Sequence, residues 1–230
     1  IITDVSPNKF KKDLNKIKEE DSHFFDYYKN YYELHKNFLQ PTTIKIDINT
    51  FESEISEYHH LFRQWGYNRP HVPRFGISLF NLNGKLDEEE DLASGPLDQL
   101  NNLGKKVYKE EDFCTPTPVF NNLQSLRPFD SLKDYMIRSN ILLWHEGANF
   151  IPHIDTLPKP GFNLRLWGTN DPEGYIFDYC GEKAINIEPG RIYLVDTTQW
   201  HWAKAIKDWN YTFFIALKPQ AFDKIGQLLI

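Results

Sequence analysis

Three side chains in the second half of the sequence have the types and spacing of a metal site. His153 and Asp155 are separated by one residue, and His201 follows further along the chain. On a β-strand, residues i and i+2 point to the same side, so the imidazole of His153 and the carboxylate of Asp155 converge there. A histidine from a neighbouring strand would complete a set of two histidines and one carboxylate. That set suits Fe(II), because it holds the ion on one side and leaves its other coordination positions open.

The residues around these three side chains predict the strands that would position them. After Tyr135, short apolar segments alternate with turn signals such as Glu146–Gly147 and Pro189–Gly190. We count roughly seven strands in about 80 residues, a density typical of an antiparallel sandwich or barrel. The metal core is therefore expected within residues 135–219.

The first part of the chain has a different pattern. Charged and aromatic residues at helical spacing predict one or two amphipathic helices that end near Gln40–Pro41. A short strand is predicted over residues 43–48, and a further helix with Thr50 as its N-cap. We expect a mainly β fold with helices (α+β): a helical N-terminal region, residues 1–70, packed in the same globule on a β-domain, residues 71–230.

The composition limits which classes of binding partner we expect. The 230 residues carry a net charge of −6, which gives no general attraction to nucleic acid or to anionic membranes. Two cysteines cannot form a disulfide framework, no apolar run is long enough to span a membrane, and no signal peptide is recognisable. We expect a soluble, cytoplasmic protein whose substrate is a small molecule, a peptide or a protein. The oligomeric state is left open.

Three segments resemble the Fe(II)- and 2-oxoglutarate-dependent oxygenases, which have a double-stranded β-helix (jelly-roll) fold. Gly147–Asp155 resembles the segment that leads to the first two iron ligands. Asn163–Trp167 and Pro189–His201 resemble the aspartyl/asparaginyl β-hydroxylase branch, which also contains proline hydroxylases. The similarity covers roughly residues 135–219.

The resemblance implies an activity and a set of site residues. His153, Asp155 and His201 would hold Fe(II), 2-oxoglutarate would be the cosubstrate, and O2 would be used to hydroxylate a C–H bond of an amino acid or a protein side chain such as Asp, Asn or Pro. The family usually places a basic residue after the distal histidine, where this chain has Tyr211. Because a buried carboxylate needs a charged, preferably forked partner, we predict that Arg165 binds the outer carboxylate of 2-oxoglutarate, with Tyr211 and Asn163 beside it.

Two other interpretations compete with this one. Cupins place a histidine much closer to their second glycine turn than His201 is to Gly190, so the spacing disfavours that family. The second alternative is a metal-binding barrel of the same fold that does not turn over 2-oxoglutarate, acting as a binding module or in another reaction. The missing basic residue at position 211 favours this alternative, and it remains open.

Overall fold

The computed structural model describes residues 25–35, 38–65, 71–86, 108–155, 164–179 and 181–230. Its helices are α1 Phe25–Leu34, α2 Ile48–Ile55, α3 Pro118–Asn122 and α4 Phe222–Leu228. Its strands are β1 Leu39–Lys45, β2 Arg63–Gln64, β3 Arg74–Asn81, β4 Thr115–Pro116, β5 Ser139–Trp144, β6 Asn149–His153, β7 Leu164–Thr169, β8 Tyr175–Tyr179, β9 Glu182–Lys183, β10 Arg191–Val195, β11 His201–Ala205 and β12 Asn210–Leu217. Among these residues, no helix combines the length and the apolar character that crossing a membrane requires.

The strands form two antiparallel sheets. The larger has the order β1-β10-β7-β12-β5-β3-β2, with β4 paired to β3, and the smaller has the order β6-β11-β8-β9. From β5 to β12 the chain alternates between the sheets, apart from the β8–β9 hairpin in the smaller one. This alternation is a jelly roll, as predicted, and the helices lie outside it.

Both faces of the large sheet are covered, which explains its nearly continuous apolar strands. On β12 and β7, Phe213, Ile215 and Leu166 belong to the core shared with the helices. Their neighbour Trp167 points to the opposite face and belongs to a second core between the two sheets. Because side chains alternate along a strand, every second position of the large sheet lines the interior of the jelly roll.

Two predictions about the N-terminal region were wrong. The chain leaves the α-helix at Leu34, and Gln40–Pro41 lies inside β1. Proline is tolerated there because β1 is an edge strand, where a missing N–H costs little. The N-cap of α2 is Asp47 and not Thr50; the Asp47 carboxylate accepts a hydrogen bond from the Thr50 amide at 2.8 Å.

The N-terminal 70 residues contribute strands as well as helices. β1 pairs with β10, and β2 pairs with β3, so both belong to the large sheet. The residues before Phe25, where part of the helical pattern lies, are outside the described ranges. The division into regions 1–70 and 71–230 remains a prediction.

Gly190 is expected to be sensitive to substitution because its turn joins two strands closely. Its φ is +72°, and a Cβ added there would overlap the Ile46 carbonyl oxygen. We expect Gly190→Ala to lower the free energy of unfolding by about 2–4 kcal/mol, measured by chemical denaturation. Gly147 is the control, since its φ is +84° and nothing lies within 4 Å of a Cβ added there; Gly147→Ala should cost about 1 kcal/mol. Equal losses in the two variants would contradict the steric argument.

Candidate metal centre

The two sheet strands that carry the histidines bring them face to face. His153 is the last residue of β6 and His201 the first residue of β11, and the two are directly opposite each other in the antiparallel pair. Asp155 follows two residues after His153, where its amide donates to the Thr197 carbonyl at 3.1 Å. The three side chains predicted as ligands therefore meet at one end of the small sheet.

Their ligand atoms converge. His153 Nε2 lies 3.0 Å and His201 Nε2 lies 3.7 Å from Asp155 Oδ1. All three ligand atoms lie within 4.8 Å of one another. The His201 side chain is 9% exposed, and those of His153 and Asp155 are 25% and 22% exposed. The group is thus partly shielded from water, with one side open.

Backbone carbonyls fix the tautomer of both histidines. The Nδ1 of His153 lies 2.7 Å from the Ile151 carbonyl oxygen, and the Nδ1 of His201 lies 2.9 Å from that of Gln199. A carbonyl oxygen can only accept, so each Nδ1 carries the proton and each Nε2 presents its lone pair. Metal-binding histidines are oriented by this kind of outer hydrogen bond.

The local electrostatics favour the forms that bind a divalent cation. Burial lowers the pKa of His201, against the opposing effect of Asp155. Burial alone would raise the pKa of Asp155, but its close contact with His153 and the nearby His201 and Arg165 together lower it. At neutral pH His201 is thus a neutral imidazole and Asp155 an ionised carboxylate, the forms that a metal requires. The residues present fit an Fe(II) ion.

Aromatic rings pack behind the histidines. The Phe150 ring lies 4.2 Å from the His153 ring, centroid to centroid, and the Phe177 ring lies 6.0 Å from the His201 ring. Each imidazole thus has an aromatic ring beside it.

Arg165 lies inside the jelly roll on β7, on the same face as Trp167. Its side chain is 6% exposed, and its Nη2 lies 2.5 Å from Glu110 Oε2. Its Nε and Nη1 have no hydrogen-bond partner in the part of the chain that the structure describes. Its charge helps to lower the pKa of Asp155. Arg165 is thus a buried cation beside the metal ligands with donors to spare.

The other two residues predicted for the cosubstrate do not join this group. The prediction for Tyr211 is wrong, because strand alternation turns its ring to the helical side of the large sheet. There it packs on Phe51, and its hydroxyl lies 2.6 Å from His59 Nε2. Asn163 lies outside the described residues.

Three further polar side chains line the interior. Arg74 is 1% exposed; its guanidinium lies 4.3 Å from the Phe150 ring centroid and donates to the Asn149 carbonyl. Arg138 and Asn140 precede the apolar run of β5 and were missed. Both amide atoms of Asn140 are buried without a partner among the described residues. In the sequence, Arg138 and Asn140 stand at alternating positions before an apolar run, and this pattern could have identified them as residues of the interior.

Helix α1 supports the turn that leads to His201. The Tyr31 hydroxyl donates to Asp196 Oδ1 at 2.8 Å, and the same oxygen accepts from the Thr198 hydroxyl at 2.6 Å. Asp196 is 1% exposed. The buried carboxylate thus joins the helical layer to the segment just before a metal ligand.

We expect Tyr31→Phe to lower the free energy of unfolding by about 1.5–3 kcal/mol, because it removes a buried hydrogen bond to a charged group. Denaturant unfolding would measure it. Tyr58→Phe is a matched control, since among the described residues its hydroxyl accepts one exposed hydrogen bond, from Asn122 at 3.1 Å; its effect should stay below about 0.5 kcal/mol. A Tyr31→Phe variant as stable as the control would contradict the role of the Asp196 link.

Comparison with known proteins gives distant structural likenesses. No family model matches the sequence, and no curated protein matches it. A prolyl hydroxylase from Trichoplax adhaerens, solved with a hypoxia inducible factor peptide fragment, is 12% identical, with 78% of this chain and 81% of that chain covered and a TM-score of 0.40. A prolyl-4-hydroxylase from Pseudomonas putida has the same identity and TM-score over 78% and 90%. A 2OG-Fe(II) oxygenase family protein from Burkholderia pseudomallei is 10% identical over 75% and 77%, with a TM-score of 0.37.

Proposed function

We propose that this protein is an Fe(II)- and 2-oxoglutarate-dependent oxygenase that hydroxylates a C–H bond. The observation that carries the proposal is the metal centre itself. Two imidazole Nε2 atoms and one carboxylate oxygen converge within 4.8 Å, and both Nδ1 atoms are held by carbonyl oxygens. A closed structural zinc site would use four protein ligands, whereas this set leaves positions for exogenous ligands.

Each side chain has a separate task in this proposal. His153, Asp155 and His201 hold the metal, and the Arg165 guanidinium binds the outer carboxylate of 2-oxoglutarate through a fork of two donors. Phe150 and Phe177 keep water from the inner side. Iron and 2-oxoglutarate, when bound, supply the oxidising chemistry with O2. The protein contributes position and a dry environment for the reacting C–H bond.

The substrate that we propose is an amino acid or a side chain of a peptide or protein. The support is the resemblance of the Gly147–Asp155, Asn163–Trp167 and Pro189–His201 segments to the hydroxylase branch. A fold alone does not determine a substrate. Screening of candidate substrates would decide among Asp-, Asn- and Pro-like groups.

One observation favours the second candidate, a metal-binding barrel that does not turn over 2-oxoglutarate. The Arg165 guanidinium already has a carboxylate partner in Glu110. If that ion pair were permanent, the cosubstrate would lack its anchor.

An anaerobic Fe(II) titration with and without 2-oxoglutarate separates the two candidates. The oxygenase should show a visible charge-transfer band when both are present, and slow 2-oxoglutarate decarboxylation once air is admitted. Iron binding without a band would overturn the oxygenase proposal and leave the metal-binding barrel. Failure to bind iron at all would overturn both.

A further inference from the structure

A carboxylate of the chain itself lies between two buried arginines of the interior. Glu110 Oε2 is 2.5 Å from Arg165 Nη2, and Glu110 Oε1 is 3.9 Å from Arg138 Nη1. The side chains of Arg165, Arg138 and Glu110 are 6%, 8% and 18% exposed. Glu110 is therefore the most accessible member of the group.

The arginines belong to the jelly roll, and the glutamate does not. Arg165 lies on β7, and Arg138 lies just before β5. Aromatic rings surround them: Trp65 and Phe113 each lie 5.7 Å from the Arg138 guanidinium, and Phe214 lies 5.7 Å from that of Arg165. In such an environment a cation needs a carboxylate, because water cannot solvate it.

Glu110 comes from a short turn that covers this interior. The turn is a single 3₁₀ segment, Glu110–Asp112, between the exposed Lys109 and the buried Phe113. One turn of helix has few internal hydrogen bonds, so Glu110 can leave Arg165 without disturbing the sheets.

We propose that Glu110 is an internal competitor of the 2-oxoglutarate carboxylate at Arg165. The inference rests on the proposed function, and it concerns regulation of that same site. In the free protein the Glu110 carboxylate occupies Arg165 Nη2, the donor that both forked edges of the guanidinium share. A carboxylate that binds Arg165 in a fork must therefore displace Glu110, which keeps Arg138 as its partner. The apparent affinity for 2-oxoglutarate is then reduced by the fraction of molecules in which Arg165 is released.

The test is anaerobic titration of the Fe(II)-loaded full chain with 2-oxoglutarate, followed by the charge-transfer band. Glu110→Gln keeps the shape of the side chain and removes its charge. We expect the dissociation constant for 2-oxoglutarate to fall by about tenfold in this variant, as for a protein in which Arg165 is released in one molecule in ten. The neighbouring exposed Glu111 provides the matched control, and Glu111→Gln should leave the constant unchanged.

The outcomes separate this inference from the proposed function. A band in the wild type with an equal or weaker constant in Glu110→Gln overturns the competition and leaves the oxygenase proposal intact. A band in both, reached at about tenfold lower 2-oxoglutarate in Glu110→Gln, supports both. A band that appears only in Glu110→Gln shows that Glu110 blocks Arg165 permanently in the wild type, which overturns the oxygenase proposal for the wild-type chain and replaces competition with a permanent block. No band in any variant overturns both. Thermal unfolding of Glu110→Gln and Glu110→Ala beside the wild type shows whether either variant has a folding defect. Glu110→Ala should also bind 2-oxoglutarate more tightly than the wild type.

Discussion

His153→Ala is expected to lower Fe(II) affinity by more than about 100-fold and to abolish the charge-transfer band. Even outer partners of metal ligands contribute about 10–100-fold to affinity, and His153 is a direct ligand in our proposal. Its Nε2 also lies 3.0 Å from Asp155 Oδ1, so its loss changes the surroundings of a second ligand. Anaerobic iron titration by calorimetry would measure the change.

His60→Ala is the matched control, because His60 is exposed on the 3₁₀ segment after α2. Its iron affinity should equal that of the wild type. If both variants lost affinity to the same extent, or if His153→Ala kept it, iron would have to bind elsewhere in the chain and the triad would not be the site.

Arg165→Ala should raise the dissociation constant for 2-oxoglutarate by about 30- to 100-fold and change iron affinity by less than about threefold. Charge-assisted, forked hydrogen bonds to a buried carboxylate are among the strongest in proteins, which sets the size of the effect. Arg165 is not a metal ligand, so the two constants should separate. The visible band, titrated with 2-oxoglutarate at saturating iron, gives the first constant.

Two lysine variants make this measurement specific. Arg165→Lys retains the charge without the fork, so it should lie between wild type and alanine. Arg74→Lys tests the competing buried arginine, whose guanidinium is already engaged by the Asn149 carbonyl and the Phe150 ring. If Arg74→Lys raised the dissociation constant for 2-oxoglutarate strongly and Arg165→Ala did not, Arg74 and not Arg165 would be the residue that binds the outer carboxylate.

Local patterns predicted the jelly roll and the meeting of the three candidate ligands. The i, i+2 spacing of His153 and Asp155 requires only a strand, and strand periodicity was clear on both sides of it. The opposite position of His201 depends on pairing between β6 and β11, which spacing alone does not determine. The prediction that His201 joins His153 and Asp155 came from the resemblance to the oxygenase family.

The incorrect or missed assignments each depend on a structural detail that spacing along the sequence does not contain. Tyr211 was assigned from its distance along the chain, but the parity of β12 turns it toward the helices, with Phe213. Glu110 was invisible to sequence reasoning, because its position beside Arg165 comes from a contact between residues 55 apart. Asp47 is the cap because its own backbone is extended (φ −71°, ψ 108°), whereas Thr50 lies inside the helix Ile48–Ile55.

The position of β12 has a consequence for how the protein is made. The strand lies between β5 and β7 at the centre of the large sheet, although it is the last strand in sequence. A nascent chain that has not yet released Asn210–Leu217 from the ribosome therefore holds two separate half-sheets, each with an unpaired inner edge. Such edges and the exposed apolar faces beside them favour association with other chains. The large sheet can be completed only after β12 has emerged, in a late step that inserts this strand between β5 and β7.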